Sequence, residues 1–561
     1  MNVDRVRSLI HTLSLQAALG LCLLWGAAEA GPGTVLSQVK VSDTQGAFAP
    51  PLANSDEFGG ALAHLGDLDG AGPAVAALAV GSPSADDGGS GRGAVYVIFL
   101  DALGAVLGTQ KISDTQGAFT APLDNYDEFG GALASLGDLD GDGPQAATLV
   151  VGAPGDDDGG LNRGAVYLLH LNSSAMVLSY RKISATQGAF ADTLGNGDEF
   201  GASVAALGDL DGLGLARAAI AVGAPRDDDG GIDRGAAFVI FVDQVGAVLS
   251  HQKISSVAGS FTGALDSSDD FGGALASLGN LDGAGPAVLA LAVGAVGDDD
   301  GGSSRGAVYV LFLNSSGSVL SHRKISATQG GLLEPLANLD EFGGALARVN
   351  GLGAPAATLA VGAVGDDDGG PDRGATHLLF LNADGSVAST QTLSATRGNF
   401  SGPLEESDEF GCAVVSIGNL DGPGPGAQTL VVGAQGDDDG GLDRGAIYIL
   451  SLDGPATTDV PGIPAHTSGL ALGFAMPNPF GSRTTIAYRI EEPASVRIDL
   501  WDLHGRRVRN LVDRRIGAGQ HHILWDGRGD QGDMLPAGAY FYRMSVDGNP
   551  AAITRKVVLL P

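Results

Sequence analysis

The chain has 561 residues, with 65 acidic against 31 basic side chains and a net charge of −34. That balance excludes binding along a phosphate backbone, because the repulsion could be overcome only by a local basic patch and the repeats contain none. Ninety glycines and a 44% hydrophobic content exclude a disordered or long-helical chain and suit short strands joined by tight turns.

At the N-terminus Arg5 and Arg7 precede an apolar run from Leu13 to Trp25, and Ala28-Glu29-Ala30 places small residues where a signal peptidase reads them. Residues 1–30 are therefore expected to be a signal peptide cleaved before Gly31. The run falls short of the roughly 20 residues that span a bilayer, so no transmembrane anchor is expected after cleavage. Cys22 follows Leu21, where lipid attachment would want a small residue, and the mature chain keeps one cysteine, Cys412. One cysteine forms no intrachain disulfide, and Cys412, standing in place of a repeat glycine, reads as packing.

From residue 31 to residue 452 the chain repeats. The residues Phe58, Phe129, Phe200, Phe271, Phe342 and Phe410 are spaced by 71, 71, 71, 71 and 68 positions, the mark of a repeat architecture. The repeats run near 43–113, 114–184, 185–255, 256–326, 327–394 and 395–452. In the second, Gly130–Leu136, Thr148–Gly152, Gly164–Leu171 and Val177–Ile183 read as four strands, A to D, separated by Gly, Asp and Asn turns. Strands B and C are apolar on both sides and so must be covered on both faces, which radially stacked sheets provide. The last repeat runs from Ile447-Tyr448-Ile449-Leu450 into Asp453-Gly454-Pro455 with no strand D, while a D-like segment, Val35 to Ser42, precedes the first. The N-terminal strand can supply the missing one. The expected fold is all-β, a β-propeller of six four-stranded blades closed by an N-terminal strand, with seven blades as the alternative.

The sequences Phe129-Gly130-Gly131, Gly137-Asp138-Leu139-Asp140-Gly141-Asp142-Gly143 and Val151-Gly152-Ala153-Pro154 resemble the FG-GAP repeat of integrin α-chain propellers and of bacterial exported proteins. The resemblance covers residues 35 to 452. It implies calcium in the A to B loop, held by carboxylates at alternating positions whose oxygens converge on one hard cation. The matching residues are Asp138, Asp140 and Asp142 in the second repeat, Asp67 and Asp69 in the first, and Asp209 and Asp211 in the third. The fourth offers Asn280 and Asp282, the sixth Asn419 and Asp421, and the fifth only Asn350. The competing reading makes these residues turn formers that satisfy their own backbone; only the second repeat has all three aspartates.

A second acidic element is the B to C loop, with Asp156-Asp157-Asp158 matched by Asp227 to Asp229, Asp298 to Asp300, Asp366 to Asp368, Asp437 to Asp439 and Asp86-Asp87. Five residues beyond each triplet sits Arg163, Arg234, Arg305, Arg373 or Arg444. Three consecutive carboxylates cannot all aim at one ion, so at least one is expected to cap local backbone or to pair with that arginine. In a propeller these loops share a face with the D to A loops, so the triplets and residues such as Asp127 and Glu128 would form an acidic ring. In integrins that face meets ligands.

Residues 453–470 lose the repeat and read as a Gly- and Pro-containing linker. Strand-like runs then recur at Thr484–Tyr488, Val496–Leu500, Ile523–Trp525 and Tyr540–Arg543, as in a small β-sandwich. The sequences Asn478-Pro479-Phe480, Asp502-Leu503-His504-Gly505-Arg506, Trp525-Asp526-Gly527-Arg528 and Gly538-Ala539-Tyr540-Phe541-Tyr542 resemble the FlgD immunoglobulin-like domains that end many exported bacterial proteins. Residues 471–561 would then be a C-terminal sorting domain addressed to type IX secretion machinery, with a secreted or outer-surface destination. Arg528-Gly529-Asp530 spells a tripeptide that integrins recognise, but it sits in that family's Asp-Gly-Arg turn and reads as coincidence.

Catalysis needs one asymmetric constellation, and here the acidic groups recur with the repeat. The ten histidines show no recurring metal-ligand spacing. The expected function is non-catalytic: adhesion or recognition of an extracellular protein or glycan at the bacterial surface, supported by calcium. A structural surface component and a hydrolase working on the acidic face are the alternatives.

Overall fold

The computed structural model describes residues 31–454, apart from stretches of five A to B loops (71–75, 140 and 142–145, 215–216, 284–287, 421–426), and the strands and most turns of 471–559. The expected signal peptide and linker lie outside the described residues, as do Asp140, Asp142 and Asp421. Contacts divide the chain into two units that change over at Pro455 and Ala456.

The first unit is all-β. After β1 (Val35–Val41) come β2 to β5 (Ala61–Gly66, Ala76–Ser82, Ala94–Leu100, Val106–Ser113) and β6 to β9 (Ala132–Ser135, Ala147–Ala153, Ala165–Leu171, Val177–Ser184). They are followed by β10 to β13 (Ser203–Gly208, Arg217–Ala224, Ala236–Asp243, Val248–Ser255) and β14 to β17 (Phe271–Gly279, Leu289–Ala295, Ala307–Leu313, Val319–Ser326). The last are β18 to β21 (Ala345–Val349, Ala357–Ala363, Ala375–Leu381, Val387–Ser394) and β22 to β24 (Phe410–Gly418, Gln428–Ala434, Ala446–Leu452). Each group forms one antiparallel sheet in chain order, and β1 takes the outer place beside β24 in the sixth. The pairing runs from Val35 opposite Leu452 to Val41 opposite Ile447.

The second and third strands are buried along most of their length, as their two-sided apolar sequence requires, and β7 and β8 are buried throughout. Between neighbouring sheets lie six clusters of buried side chains, each drawn from two successive repeats, the fourth combining Val41, Phe58 and Tyr96 with Ala413 and Val431. The innermost strands touch in the cyclic order β2, β6, β10, β14, β18, β22 and back to β2.

Two backbone devices join the repeats. The glycine ending each second strand faces the next repeat's Phe-Gly pair: a Cβ on Gly152 would lie 2.0 Å from the Gly201 carbonyl oxygen, and one on Gly433 would lie 2.1 Å from that of Gly59. Gly201 has φ of 98°, a conformation other residues rarely adopt. Beside it, the D to A loop donates to the preceding B to C loop at fixed positions: Glu199 N to Asn162 O at 3.1 Å and Phe200 N to Arg163 O at 3.0 Å. The same stitch links Glu57 N to Asp443 O and Phe58 N to Arg444 O, between the first and last repeats.

The second unit holds β25 to β31: Ala471–Met476, Thr484–Ile490, Ala494–Trp501, Arg507–Ile516, Gly519–Trp525, Gly538–Val546 and Asn549–Leu559. A three-stranded sheet, β25-β26-β29, and a four-stranded one, β28-β27-β30-β31, share a core of Tyr488, Ile498, Trp525 and Tyr542. The four runs expected from sequence fall on four of these strands. The Arg528-Gly529-Asp530 tripeptide is tied into its own domain. Asp530 Oδ1 accepts from Asn510 N at 2.8 Å, and the Gly529 carbonyl accepts from Arg509 Nη1 at 2.6 Å.

Candidate functional site

The acidic residues of the D to A and B to C loops do not act as one group; the structure separates three roles. In the Asp-Glu-Phe segment the aspartate turns inward. Asp127 is 3% exposed and its Oδ2 accepts from the Asp124 amide at 2.8 Å. Asp56, Asp198, Asp269, Asp340 and Asp408 take the same bond from the residue three positions earlier. Burial away from water pushes the Asp127 carboxyl up to about 7, against the pull of the Asp124 amide and helped by the charge of Asp156. Asp408 is likewise raised to about 7, and Asp198, Asp269 and Asp340 to about 6.

In the Asp triplet each carboxylate has its own partner. Asp156 Oδ1 accepts from the Asp158 amide at 3.0 Å and Asp157 Oδ1 from the Asn162 amide at 2.8 Å, so the first two shape the loop. The remaining oxygens gather around a lysine: Lys182 Nζ lies 2.6 Å from Asp156 Oδ2 and 2.8 Å from Asp158 Oδ2, and 5.4 Å above the ring of Tyr167. Burial works against this ammonium, but the two aspartates outweigh it and hold the lysine above its usual range. Lys253, Lys324 and Lys40 repeat the arrangement, and Lys111 a reduced form of it with Asp87. The expected alternative partner, the arginine five residues on, is engaged elsewhere in the second, fourth and sixth repeats. Arg163 donates to Asn196 at 2.9 Å and Arg444 pairs with Asp43 at 2.6 Å, both in the next repeat around. Sequence reasoning missed the lysine, although five of the chain's six lysines stand at this one position.

The fifth repeat departs from the pattern. Its strands carry His377 and Thr392 where the second repeat has Tyr167 and Lys182, and His377 Nδ1 lies 3.0 Å from Thr392 Oγ1. Burial pushes this histidine down to about 4. Asp368 keeps a cation nonetheless: Arg397, standing where the second repeat has Gln187, reaches it at 3.1 Å.

The third role belongs to the residue after the buried aspartate. Glu57, Glu128, Glu199, Asp270, Glu341 and Glu409 all sit at left-handed φ of 55–57°. Burial, then the charges of neighbours around the ring, hold the Glu128 carboxyl above its usual range, the neighbours being Glu199 and Glu57. Asp270 is raised to about 6 by burial, then by Asp233, with Glu199 and Glu341 adding to the effect. Glu57 accepts from Ser84 at 2.7 Å, Glu409 from Gln435 at 2.6 Å, and Glu199 pairs with Arg226 at 2.7 Å. No hydrogen bond or ion pair engages the side chains of Glu128, Asp270 and Glu341 among the described residues. Of the residues expected on that face, Asp127 and its equivalents are folded inside their turns, while Glu128 and Asp270 lie near acidic residues of adjacent repeats.

The A to B loops carry the calcium candidates. Asp138 Oδ1 accepts from the Gly141 amide at 2.9 Å. Asp209 accepts from Gly214 at 3.2 Å, while Asp211 accepts from Leu213 at 3.1 Å and lies 3.6 Å from Arg217. In the third repeat both aspartates therefore serve their own loop. At Asp67 and Asp69, Asn280 and Asp282, and Asn419, as elsewhere among the described residues, no three carboxylate, histidine or cysteine groups converge as a metal cluster.

Two predictions follow from these environments. Lys182→Thr should cost about 3 kcal/mol, because it leaves two largely buried carboxylates without their cation, and Gln187→Arg added to it should restore part of the loss, as in the fifth repeat. Chemical denaturation of the four-member cycle measures both; a single variant within 0.5 kcal/mol of the parent would contradict the role given to the lysine. The second concerns pH. Asp127 and its equivalents have folded values above the ordinary 3.8, so the stability they contribute is full below that value and is lost as pH rises through 6 to 7. Asp87, Asp158, Asp300 and Asp439 are held below it by their lysines, despite burial, and their contribution is lost in acid. The melting temperature should peak between roughly pH 4 and 6 and fall towards pH 8; a curve that rises steadily from pH 5 to 8 would refute this assignment.

A model of the FG-GAP repeat matches residues 123–169, which run from the D to A loop through β8. A model of the FlgD Ig-like domain matches residues 479–549. No curated protein matches the chain. Among solved structures, PorZ of Porphyromonas gingivalis, described as an essential bacterial surface component of the type-IX secretion system, is 12% identical over 89% of this chain and 51% of its own, with a TM-score of 0.27. The chain thus spans about half the length of PorZ. A fungal alcohol oxidase of the AA5 family is 11% identical over 94% of this chain and 100% of its own, with a TM-score of 0.34. Latent PorU of P. gingivalis is 14% identical over 58% and 31%, with a TM-score of 0.15. Likenesses of this size carry no chemistry from one protein to another. The chain thus carries an FG-GAP repeat in the second of its six sequence repeats and an FlgD Ig-like domain over residues 479–549.

Proposed function

We propose that the six sheets are the blades of a closed propeller and that the protein is an exported, non-catalytic recognition module of the bacterial surface, holding an extracellular protein or glycan against its carboxylate ring. Support for the closed propeller comes from the cyclic order of the inner strands, the pairing of β1 with β24 and the stitch between Phe58 and Arg444. The observation that carries the recognition reading is the ring itself. Six acidic residues are kept at an unfavourable left-handed φ, and three of them, Glu128, Asp270 and Glu341, have no hydrogen-bond or ion-pair partner among the described residues. A fold that needed only turn formers there would be served by glycine or asparagine. Repetition of the same groups around the ring favours binding over catalysis, which calls for one singular arrangement.

Export rests on the sequence of residues 1–30, and passage through type IX secretion machinery on the FlgD-like C-terminal domain. Calcium supports the fold in the second repeat alone, through Asp138, Asp140 and Asp142; the ion would supply a rigid crosslink across that loop.

Glu128→Gln combined with Glu341→Gln should hold or raise the melting temperature, since neither carboxylate has a hydrogen-bond or ion-pair partner among the described residues and both lie near like charges. It should weaken binding to basic matrix proteins or cationic glycans several-fold, with a shallower dependence on salt. Absence of saturable binding by the parent across such a panel, or identical binding by the variant, would sink the proposal. For calcium, titration calorimetry of the protein lacking residues 1–30 should show a single site that Asp138→Asn weakens at least tenfold; no heat at millimolar calcium and no shift in melting temperature would remove the metal.

A further inference from the structure

In the second repeat one place is filled by the chain's own ammonium group. Lys182 Nζ and Tyr167 Oη both bond Asp156 Oδ2, at 2.6 and 3.2 Å, and Tyr180 lines the same pocket. At the matching positions the fifth repeat carries shorter side chains: Thr392 for the lysine, His377 for the first tyrosine and Thr390 for the second. Register keeps them on one face of the sheet. Thr392 stands opposite His377 and Thr390 opposite Leu379, just as Lys182 stands opposite Tyr167 and Tyr180 opposite Leu169, and residues two apart on a strand point to the same side.

The carboxylates around this place keep their positions. Asp366 Oδ1 accepts from the Asp368 amide at 2.8 Å and Asp368 Oδ2 from Ser394 at 3.0 Å, the bonds that Asp156, Asp158 and Ser184 make in the second repeat. The other oxygen, Asp366 Oδ2, has no hydrogen-bond or ion-pair partner among the described residues. Asp366 is also half-buried where Asp156, Asp227, Asp298 and Asp437 are each 2% exposed, so the strands have not closed over the space the lysine leaves. Two more polar atoms of this face are buried with no partner among the described residues: His377 Nε2, on a side chain 3% exposed, and Thr390 Oγ1. His377 Nδ1 is taken by Thr392 at 3.0 Å; with the proton on that nitrogen, Nε2 offers a lone pair. Burial keeps the imidazole neutral. Arg397 is spent further out, bonding Asp368 at 3.1 Å and Glu334 at 2.8 Å from a side chain that is 47% exposed. Buried polar atoms are rarely left unpaired, and these three can all accept.

We propose that the fifth repeat takes up a primary ammonium group from outside the chain, a lysine side chain of another protein or a small alkylamine, with Asp366 Oδ2, His377 Nε2 and Thr390 Oγ1 accepting from it. The guest stands where the other five sheets hold their own lysine against the same aspartates. A primary ammonium carries three donors, no acceptor and a compact charge on an apolar stem, which matches a set of acceptors beside one carboxylate. A metal ion is the poorer guest, since no three carboxylate, histidine or cysteine groups converge among the described residues. The site is separate from Glu57 and its equivalents and does not rest on the proposed ring.

The test is calorimetric titration of the full chain with butylammonium chloride and with acetyl-lysine amide. Tetramethylammonium, which has the same charge and no N–H, controls for general attraction to a chain of net charge −34. The parent should bind at least one of the two primary ammonium probes saturably and should not bind the control. Thr392→Lys supplies the missing lysine from within and should abolish that binding. Asp366→Asn keeps the shape and the bond from the Asp368 amide and should weaken it roughly tenfold; if the lysine variant fails to fold, this one decides alone. Tighter binding of acetyl-lysine amide would identify a protein side chain as the guest, and tighter binding of butylammonium a free amine. No saturable binding of either, equal binding of tetramethylammonium, or binding left unchanged by Asp366→Asn would overturn the proposal.

Discussion

Each sheet is held to the next where two backbones come closer than any side chain would allow. The last glycine of a second strand, such as Gly152, meets the carbonyl of the following repeat's Phe-Gly pair at Gly201, and the same meeting recurs from Gly81 with Gly130 round to Gly433 with Gly59. With no Cβ between them, the inner strands approach closely enough for the phenylalanine to drop into the core against the tyrosine or phenylalanine of its own third strand, as Phe200 does against Phe238 at 5.5 Å. The phenylalanine, the glycine after it and the glycine before the alanine are thus one device read at three positions.

That device also sets the chemistry of the loops above it. Because Phe200 must donate to Arg163 and Glu199 to Asn162, the acidic residue before each phenylalanine is forced into a left-handed conformation and its carboxylate is carried to a fixed place. One position earlier the aspartate is turned into the protein to close its own turn. Adjacent residues of the same charge therefore have opposite functions. One is buried, raised towards neutrality and structural; the other faces its equivalents round the ring. The Asp triplets are resolved in the same way, through a lysine that arrives from the fourth strand of the same sheet.

The fifth repeat shows how far such a unit can drift while its interactions are conserved in kind. Tyrosine and lysine give way to His377 and Thr392, and Arg397 takes over the charge on Asp368. At the other end of the same sheet the loop has no aspartate, and β18 carries Arg348, which donates to the Leu278 carbonyl of the neighbouring sheet at 2.6 Å. Repeats that are equivalent for folding are in this way freed to differ chemically.

The period of the phenylalanines, the two-sided apolar strands and the displaced N-terminal strand determined, from sequence alone, an all-β chain of six four-stranded units, because strand alternation, turn chemistry and edge pairing are local rules. The strand runs of the C-terminal unit were legible for the same reason. What sequence could not apportion was partnership. Arg163, near Asp158 in the chain, turns to Asn196, whereas Lys182, 24 positions on, closes the triplet. The glutamates that share a ring come from residues 71 or 68 positions apart. Thr358 Oγ1, buried with no partner among the described residues, stands opposite Phe380 where Thr148 stands opposite His170. Electrostatic and hydrogen-bond partners are set by distance in space, and only the packing of one sheet on the next fixes those distances.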